Sequence, residues 1–140
     1  ALIDLDLFKQ INDRFGHDAG DHVLREFAAL MRTVIRQADV AARWGGEEFL
    51  VLLPDTSLLQ ALTLAERLRS QVARHPFRFS DQALPVTISA GVCSIAKARS
   101  LDDLLKQADL NLYNAKEAGR NQIAPRVRSQ ESGTSASLSP

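Results

Sequence analysis

The sequence predicts an α/β sandwich around a central, mostly antiparallel sheet of about five strands flanked by helices. Three observations carry this. Short apolar runs of strand character alternate with longer segments whose apolar residues recur at helical spacing. Two of the strand-like runs are joined through Gly45-Gly46, the mark of a β-hairpin, which makes them antiparallel neighbours. The chain has 140 residues, 45% of them hydrophobic, enough for one modest core but not two.

The first strand is the apolar run that opens the chain, Ala1-Leu2-Ile3-Asp4-Leu5-Asp6-Leu7-Phe8-Lys9, in which Asp4 and Asp6 alternate and so share a face. Val23, Phe27, Leu30, Met31, Val34 and Ile35 then repeat at helical spacing, predicting a helix from about His22 to Arg36. Val40-Ala41-Ala42-Arg43-Trp44 and Phe49-Leu50-Val51-Leu52-Leu53 are the hairpin strands, the second ended by Pro54. Paired glycines supply the positive φ that a tight two-residue turn needs, and they leave the backbone open to a ligand. Glu47 and Glu48, at the start of the second strand, point to opposite faces.

Ser57 caps a helix that carries Leu58, Ala61, Leu62, Ala65, Leu68 and Val72 on one side. A further strand follows over Val86-Thr87-Ile88-Ser89-Ala90-Gly91-Val92. Ser100, with Asp103 three residues on, caps the last long helix. Its stripe is Leu101, Leu104, Leu105, Ala108, Leu112 and Ala115, and Gly119 terminates it. Residues 1–124 are thus expected to form the domain. Residues 125–140, rich in serine and with almost nothing to bury, are expected to be a disordered tail.

Lys plus Arg and Asp plus Glu both number 17, so no global field points to nucleic acid or to an anionic membrane. Any phosphate binding must be local. Cys93 is the one cysteine and can form no internal disulfide, which fits a reducing cytoplasm and a core position. No stretch of the sequence is apolar enough to span a membrane or to act as a signal peptide, so no membrane contact is expected of this segment.

A glycine turn with two glutamates has an ordinary use, keeping a sheet edge soluble. Its company suggests another. Asp4 and Asp6 end a buried strand, and carboxylates converging from two strands are the hard oxygen ligands that Mg²⁺ prefers. Several motifs occur in order: Asp4-Leu5-Asp6-Leu7-Phe8-Lys9, Ile11-Asn12-Asp13, Gly16-His17-Asp18-Ala19-Gly20-Asp21, Arg36-Gln37-Ala38-Asp39, Arg43-Trp44-Gly45-Gly46-Glu47-Glu48-Phe49 and Ala115-Lys116-Glu117-Ala118-Gly119-Arg120-Asn121. Together they resemble the GGDEF domain of bacterial diguanylate cyclases, in its Gly-Gly-Glu-Glu-Phe form, from Ala1 to about Ile123.

The resemblance implies the palm-like fold of the nucleotide cyclases, with the first strand beside the hairpin so that Asp4 and the glutamate pair converge. It implies an enzyme that condenses two GTP molecules into cyclic di-GMP with release of pyrophosphate, working as a homodimer because each domain binds one GTP. Asp4, the Leu5 carbonyl and Glu47 would hold Mg²⁺, or Mn²⁺ in its place. Glu47 would also activate the attacking hydroxyl, and Glu48 would be a second acidic contact. Asp6 either ligates a second metal or holds the loop, and both readings stay open. Lys9 and the backbone amides near Leu7 and Phe8 would meet the triphosphate, as would Lys116 and Arg120, with Gly45 and Gly46 allowing close approach. The ordinary role of Lys116 and Arg120 is to offset a helix dipole.

Asn12 and Asp21 look like the family's guanine-reading pair. Their local alternatives are a turn at Asn12 and a helix cap at Asp21. Arg36 and Asp39 match the family's product-inhibition site, and Arg67 matches a position that in some members contributes to it from a neighbouring domain. The alternative for Arg36 and Asp39 is an ion pair closing the helix. A complete family domain begins earlier, with a helix bearing Asp-x-Leu-Thr-Gly-Leu-x-Asn-Arg, so this chain reads as a domain lacking its N-terminal helix. The resemblance implies a cytoplasmic domain in a longer parent, free or membrane-anchored, with a sensory module at its N-terminal side. The competing readings are a GTP- or cyclic-di-GMP-binding receptor without catalysis, and an enzyme of the same fold with another substrate.

Overall fold

The computed structural model describes residues 1–126; the tail expected at 125–140 lies almost wholly outside them. The chain runs β1 (Leu2–Leu5), α1 (Phe8–Phe15), α2 (His17–Val34), β2 (Val40–Arg43), β3 (Glu48–Leu52), α3 (Leu58–Arg74), β4 (Arg78–Phe79), β5 (Gln82–Ala83), β6 (Ile88–Gly91), α4 (Leu101–Glu117) and β7 (Ile123–Ala124). Five strands form the main sheet in the order β2-β3-β1-β6-β7. All its pairings are antiparallel except that of β6 with β7. β4 and β5 pair separately. The α/β sandwich with a mostly antiparallel sheet is the architecture found.

Strand alternation sorts the side chains between two layers. Ile3, Leu5, Phe49, Val51, Ile88, Ala90 and Val92 join Phe27, Leu68 and Val72 of α2 and α3 in the large core. On the other face Leu2 packs with Ala108 and Leu112 of α4, with Leu50 beside them. The approach of α4 is close at Gly91, where a Cβ would come 2.1 Å from the Ala108 carbonyl oxygen and 2.3 Å from the Leu112 nitrogen. Backbone lies on backbone there.

The helix ends show why the elements start and stop where they do. At α3, the Ser57 hydroxyl accepts from the Gln60 N–H at 3.1 Å, while the Gln60 side chain accepts from the Ser57 N–H at 3.0 Å. At α4, the Ser100 hydroxyl accepts from the Asp103 N–H at 3.1 Å, and Asp103 itself reaches back to the Arg99 N–H at 2.9 Å. Gly119, at φ 123°, ends α4 in a conformation that glycine adopts without strain.

Several expectations need correction. α2 begins at His17 rather than near His22, with Gly16 as its N-cap, so Asp21 lies inside the helix and caps nothing. Neither Gly45 nor Gly46 is among the residues with positive φ. The two-residue turn does not form: the Trp44 N–H donates to the Glu48 carbonyl at 2.7 Å, leaving Gly45, Gly46 and Glu47 as a wider loop. The strand around Ile88 is shorter than the apolar run that contains it. Arg120 lies beyond the end of α4, with φ 62°. Leu101 is 64% exposed, and with Leu104, Leu105 and Ala108 it borders an apolar groove of about 600 Å³ that also takes in Ala1, Trp44 and Leu50. Cys93 lines this groove half-buried, packed against the smaller core cluster of Leu2, Ala108 and Leu112 rather than within it.

Candidate active site

The register of the sheet brings the acidic residues together. Asp4 stands opposite Glu48 on one side and Ser89 on the other, and the Leu5 N–H donates to the Glu47 carbonyl at 3.2 Å. Asp4 is only 5% exposed. Burial pushes its carboxyl up to about 6; the hydrogen bond and charge of Lys116 pull it down, and Glu47 and Glu48 push it up again. Lys116, in the last turn of α4, forms an ion pair with Asp4. The lysine therefore sits on the acidic group itself.

These residues fit a small divalent cation. A buried carboxylate that feels the charge of two others and is paired with an ammonium is an environment that a metal ion stabilises. Among the described residues no group of three or more His, Cys, Asp or Glu side chains is gathered closely enough to cage a metal. Mg²⁺ does not need one, since it keeps several waters and is commonly held by one or two carboxylates plus substrate phosphates.

Asp6 answers differently from Asp4. Its carboxylate accepts from the Thr87 hydroxyl at 2.8 Å, the Ser89 hydroxyl at 2.7 Å and the Asn121 N–H at 3.0 Å. Its oxygens accept from protein donors on both sides, the arrangement that the loop-holding reading expects. Asn121 in turn accepts from Arg69 of α3 at 2.8 Å. The turn after α4, with Arg120 and Asn121 both at positive φ, is thereby tied to β1, β6 and α3.

Beside the acids lies a cavity of about 450 Å³, lined by Phe8, Lys9 and Asn12 of α1, His17, Asp21 and Leu24 of α2, and Arg43, Gly46 and Glu47 of the hairpin. Lys9, Asn12, Asp21, Gly46 and Glu47 are thus brought to one space. Leu7 precedes α1 in a left-handed conformation and no side chain caps the helix, whose first two residues, Phe8 and Lys9, line this cavity. Arg120 is not among the lining residues. Sequence reasoning assigned no role to His17 or Arg43, although both lie in the quoted motifs. The Arg43 guanidinium donates to the Gly46 carbonyl at 2.6 and 3.0 Å and to the Gly45 carbonyl at 3.3 Å, which shapes the glycine loop from within. Open space surrounds the Cβ position of Gly46.

Arg36 and Asp39 form the ion pair, with Nη2 to Oδ1 at 3.1 Å, Nε to Oδ2 at 3.3 Å and the Arg36 N–H to Oδ2 at 2.7 Å. Burial alone would raise the Asp39 carboxyl, but the Arg36 hydrogen bonds and charge hold it below its usual value. Arg36 also donates to the Pro54 carbonyl at 3.2 Å and to the Thr56 hydroxyl. Arg36 and Arg67 line one groove of about 380 Å³, which shares no lining residue with the cavity beside the acids, and Arg67 donates to the Val34 carbonyl at 3.0 Å.

A family profile described as "Diguanylate cyclase, GGDEF domain" matches residues 1–122. The response regulator PleD of Caulobacter vibrioides is 50% identical over 125 residues, 87% of this chain and 28% of PleD. Diguanylate cyclase DgcP of Pseudomonas aeruginosa is 48% identical over 123 residues, 88% of this chain and 18% of DgcP. The chain therefore spans less than a third of these relatives. Among solved structures, the active GGEEF domain of a diguanylate cyclase from Vibrio cholerae superposes with a TM-score of 0.77 at 38% identity, covering 87% of this chain and 78% of that one. The GGDEF domain of DgcB from Caulobacter crescentus, in complex with c-di-GMP, does so with a TM-score of 0.80 at 31% identity, covering 87% and 73%. No helix among the described residues is long and apolar enough to cross a membrane.

Proposed function

This chain belongs to the GGDEF family, and from that membership we propose that it is the catalytic domain of a diguanylate cyclase, joining two GTP molecules into cyclic di-GMP. The observation that carries the reading is the convergence of Asp4, Glu47 and Lys116 beside a cavity lined by Lys9, Asn12 and Asp21. In each of two steps the 3′-oxygen of one GTP attacks the α-phosphorus of the other. The bond to the bridging α,β-oxygen breaks, and pyrophosphate leaves.

Phosphoryl transfer depends mostly on positioning and charge neutralisation. Asp4, the Leu5 carbonyl and Glu47 would hold Mg²⁺, or Mn²⁺ in its place, which supplies Lewis-acid polarisation of the phosphoryl oxygens. Glu47 takes the proton of the attacking hydroxyl, and Glu48 adds a second acidic contact. Lys9, the first amides of α1 after Leu7 and Phe8, Lys116 and Arg120 bind the triphosphate. Gly45 and Gly46 admit the nucleotide close to the backbone. Asn12 and Asp21 read guanine.

One cavity of this size takes one nucleotide, so two copies must face each other, and the working form is a homodimer. The groove shared by Arg36 and Arg67 supports a feedback site for cyclic di-GMP, with Arg36 and Asp39 exchanging their mutual contact for the product's guanine. The exposed apolar groove beside Ala1 supports a covering helix supplied by a longer parent with an N-terminal sensory module. A GTP-consuming domain of this kind works in the cytoplasm.

The test is to incubate the full-length protein with GTP and Mg²⁺ and to measure cyclic di-GMP and pyrophosphate. Both products are expected. Tight GTP or cyclic di-GMP binding without turnover would instead support a receptor, and turnover of another nucleotide would replace the substrate.

A further inference from the structure

We propose that Gly20 is a positioning residue for the base contact: by lacking a side chain it fixes which end of the Asn12 amide faces the nucleotide cavity. The inference rests on the reading of Asn12 as a guanine contact. Gly20 is buried in the interior of α2, where glycine is less favourable than alanine. Its φ is not positive, so no backbone requirement explains it. Space does. A Cβ on Gly20 would stand 1.8 Å from Asn12 Oδ1, 2.9 Å from Asn12 Cγ and 3.1 Å from Phe8 Cζ.

The Asn12 carboxamide therefore fills the room that a side chain at residue 20 would take. Its Oδ1 is buried there without a hydrogen-bond partner. An orphaned acceptor is costly, yet the opposite orientation would bury two donors against the same Cα. The Gly20 surface thus holds the oxygen inward. Nδ2 makes no hydrogen bond among the described residues and is not fully buried, and the residue lines the cavity. Asn12 accordingly presents a donor to the base, suited to guanine O6 or N3. Asp21, one residue after Gly20 and lining the same cavity, presents an acceptor for N1–H and N2–H₂. One helix turn sets both halves of the pattern.

The test is a double-mutant cycle on the full-length protein, reading KM for GTP and inhibition by inorganic triphosphate, which engages only the phosphate end. Asn12→Ala and Gly20→Ala should each raise KM about tenfold, the worth of one net hydrogen bond, and the double variant no further. Triphosphate inhibition should stay within about twofold in all three, since none of them touches the phosphate contacts. Should Gly20→Ala destabilise the fold, Asn12→Ala should restore the melting temperature by emptying the space. Multiplying penalties, weakened triphosphate inhibition or failure of that rescue each overturns the role of Gly20 and leaves Asn12 as a base contact. An unchanged KM in Asn12→Ala removes the base contact and the inference with it.

Discussion

Lys116 and Asp4, 112 residues apart in the chain, form an ion pair that fastens the last turn of α4 to the end of β1. Lys116 is placed to neutralise a buried acid, which goes beyond both of its expected roles, phosphate ligand and dipole partner. Lys116→Ala should weaken GTP affinity and turnover together, by about 10- to 100-fold, the range of a lost charge-assisted hydrogen bond. Steady-state kinetics on the full-length variant read both. Unaltered kinetics would make the pair purely structural.

Asp4 and Glu47 should separate stability from activity. Burial raises the Asp4 carboxyl, so its ionised form costs the folded state stability at neutral pH. Asp4→Asn should then melt no lower than the parent at pH 7 while losing cyclic di-GMP synthesis. Glu47→Gln should lower product formation at least about a hundredfold, as for a missing general base, with GTP still bound. A calorimetric melt and a product assay on the same samples decide this.

Asp6 should behave in the opposite sense. Asp6→Ala leaves the Thr87, Ser89 and Asn121 donors without their acceptor, and should cost about 3 kcal/mol of folding free energy. Asp6→Asn keeps part of the acceptor capacity and should lose less. Urea unfolding measures both, and a stability-neutral alanine would reopen a metal-ligand role.

The acid limb of the stability curve should report Asp39. Its carboxyl is held below the ordinary 3.8, so the Arg36 contact stabilises the fold above that pH and the benefit vanishes as pH falls through the depressed value. Asp39→Asn should flatten the melting-temperature profile below about pH 4. Equal slopes in parent and variant would show that the pair contributes nothing to stability.

Feedback is a separate matter from that stability. Arg36→Ala should leave synthesis intact while abolishing inhibition by added cyclic di-GMP, because the groove keeps its shape but loses the guanidinium that faces it. Progress curves with and without added product test this. An inhibition curve matching the parent's would take Arg36 out of the site.

Much of this was legible in the sequence for local reasons. Ser57, Ser100 and Gly119 act within one turn of their own residues, the serines starting helices and the glycine ending one as their types suggest. What escaped depends on distant partners. Asp6 could not be assigned without Ser89 of β6 and Thr87 just before it, more than eighty residues away. The start of α2 was misread because Ala19 and Gly20, both buried, do not look like part of an apolar stripe. The glycine loop was misread because Arg43 and the Trp44 amide, rather than glycine's own preferences, decide its shape. The convergence of Asp4 with the glutamates came from family resemblance, since sheet order is not encoded in spacing.

Gly91 touches no candidate ligand, yet the seat of α4 on the sheet depends on it. A methyl group there would lift the helix and carry Lys116 away from Asp4. In a saturation mutagenesis screen scored by a second-messenger reporter, Gly91 should therefore group with the acidic residues rather than with the core. Distance from the acidic site will be a poor guide to sensitivity in this domain, because the spacing of Lys116 from Asp4 is set by how deeply one helix lies.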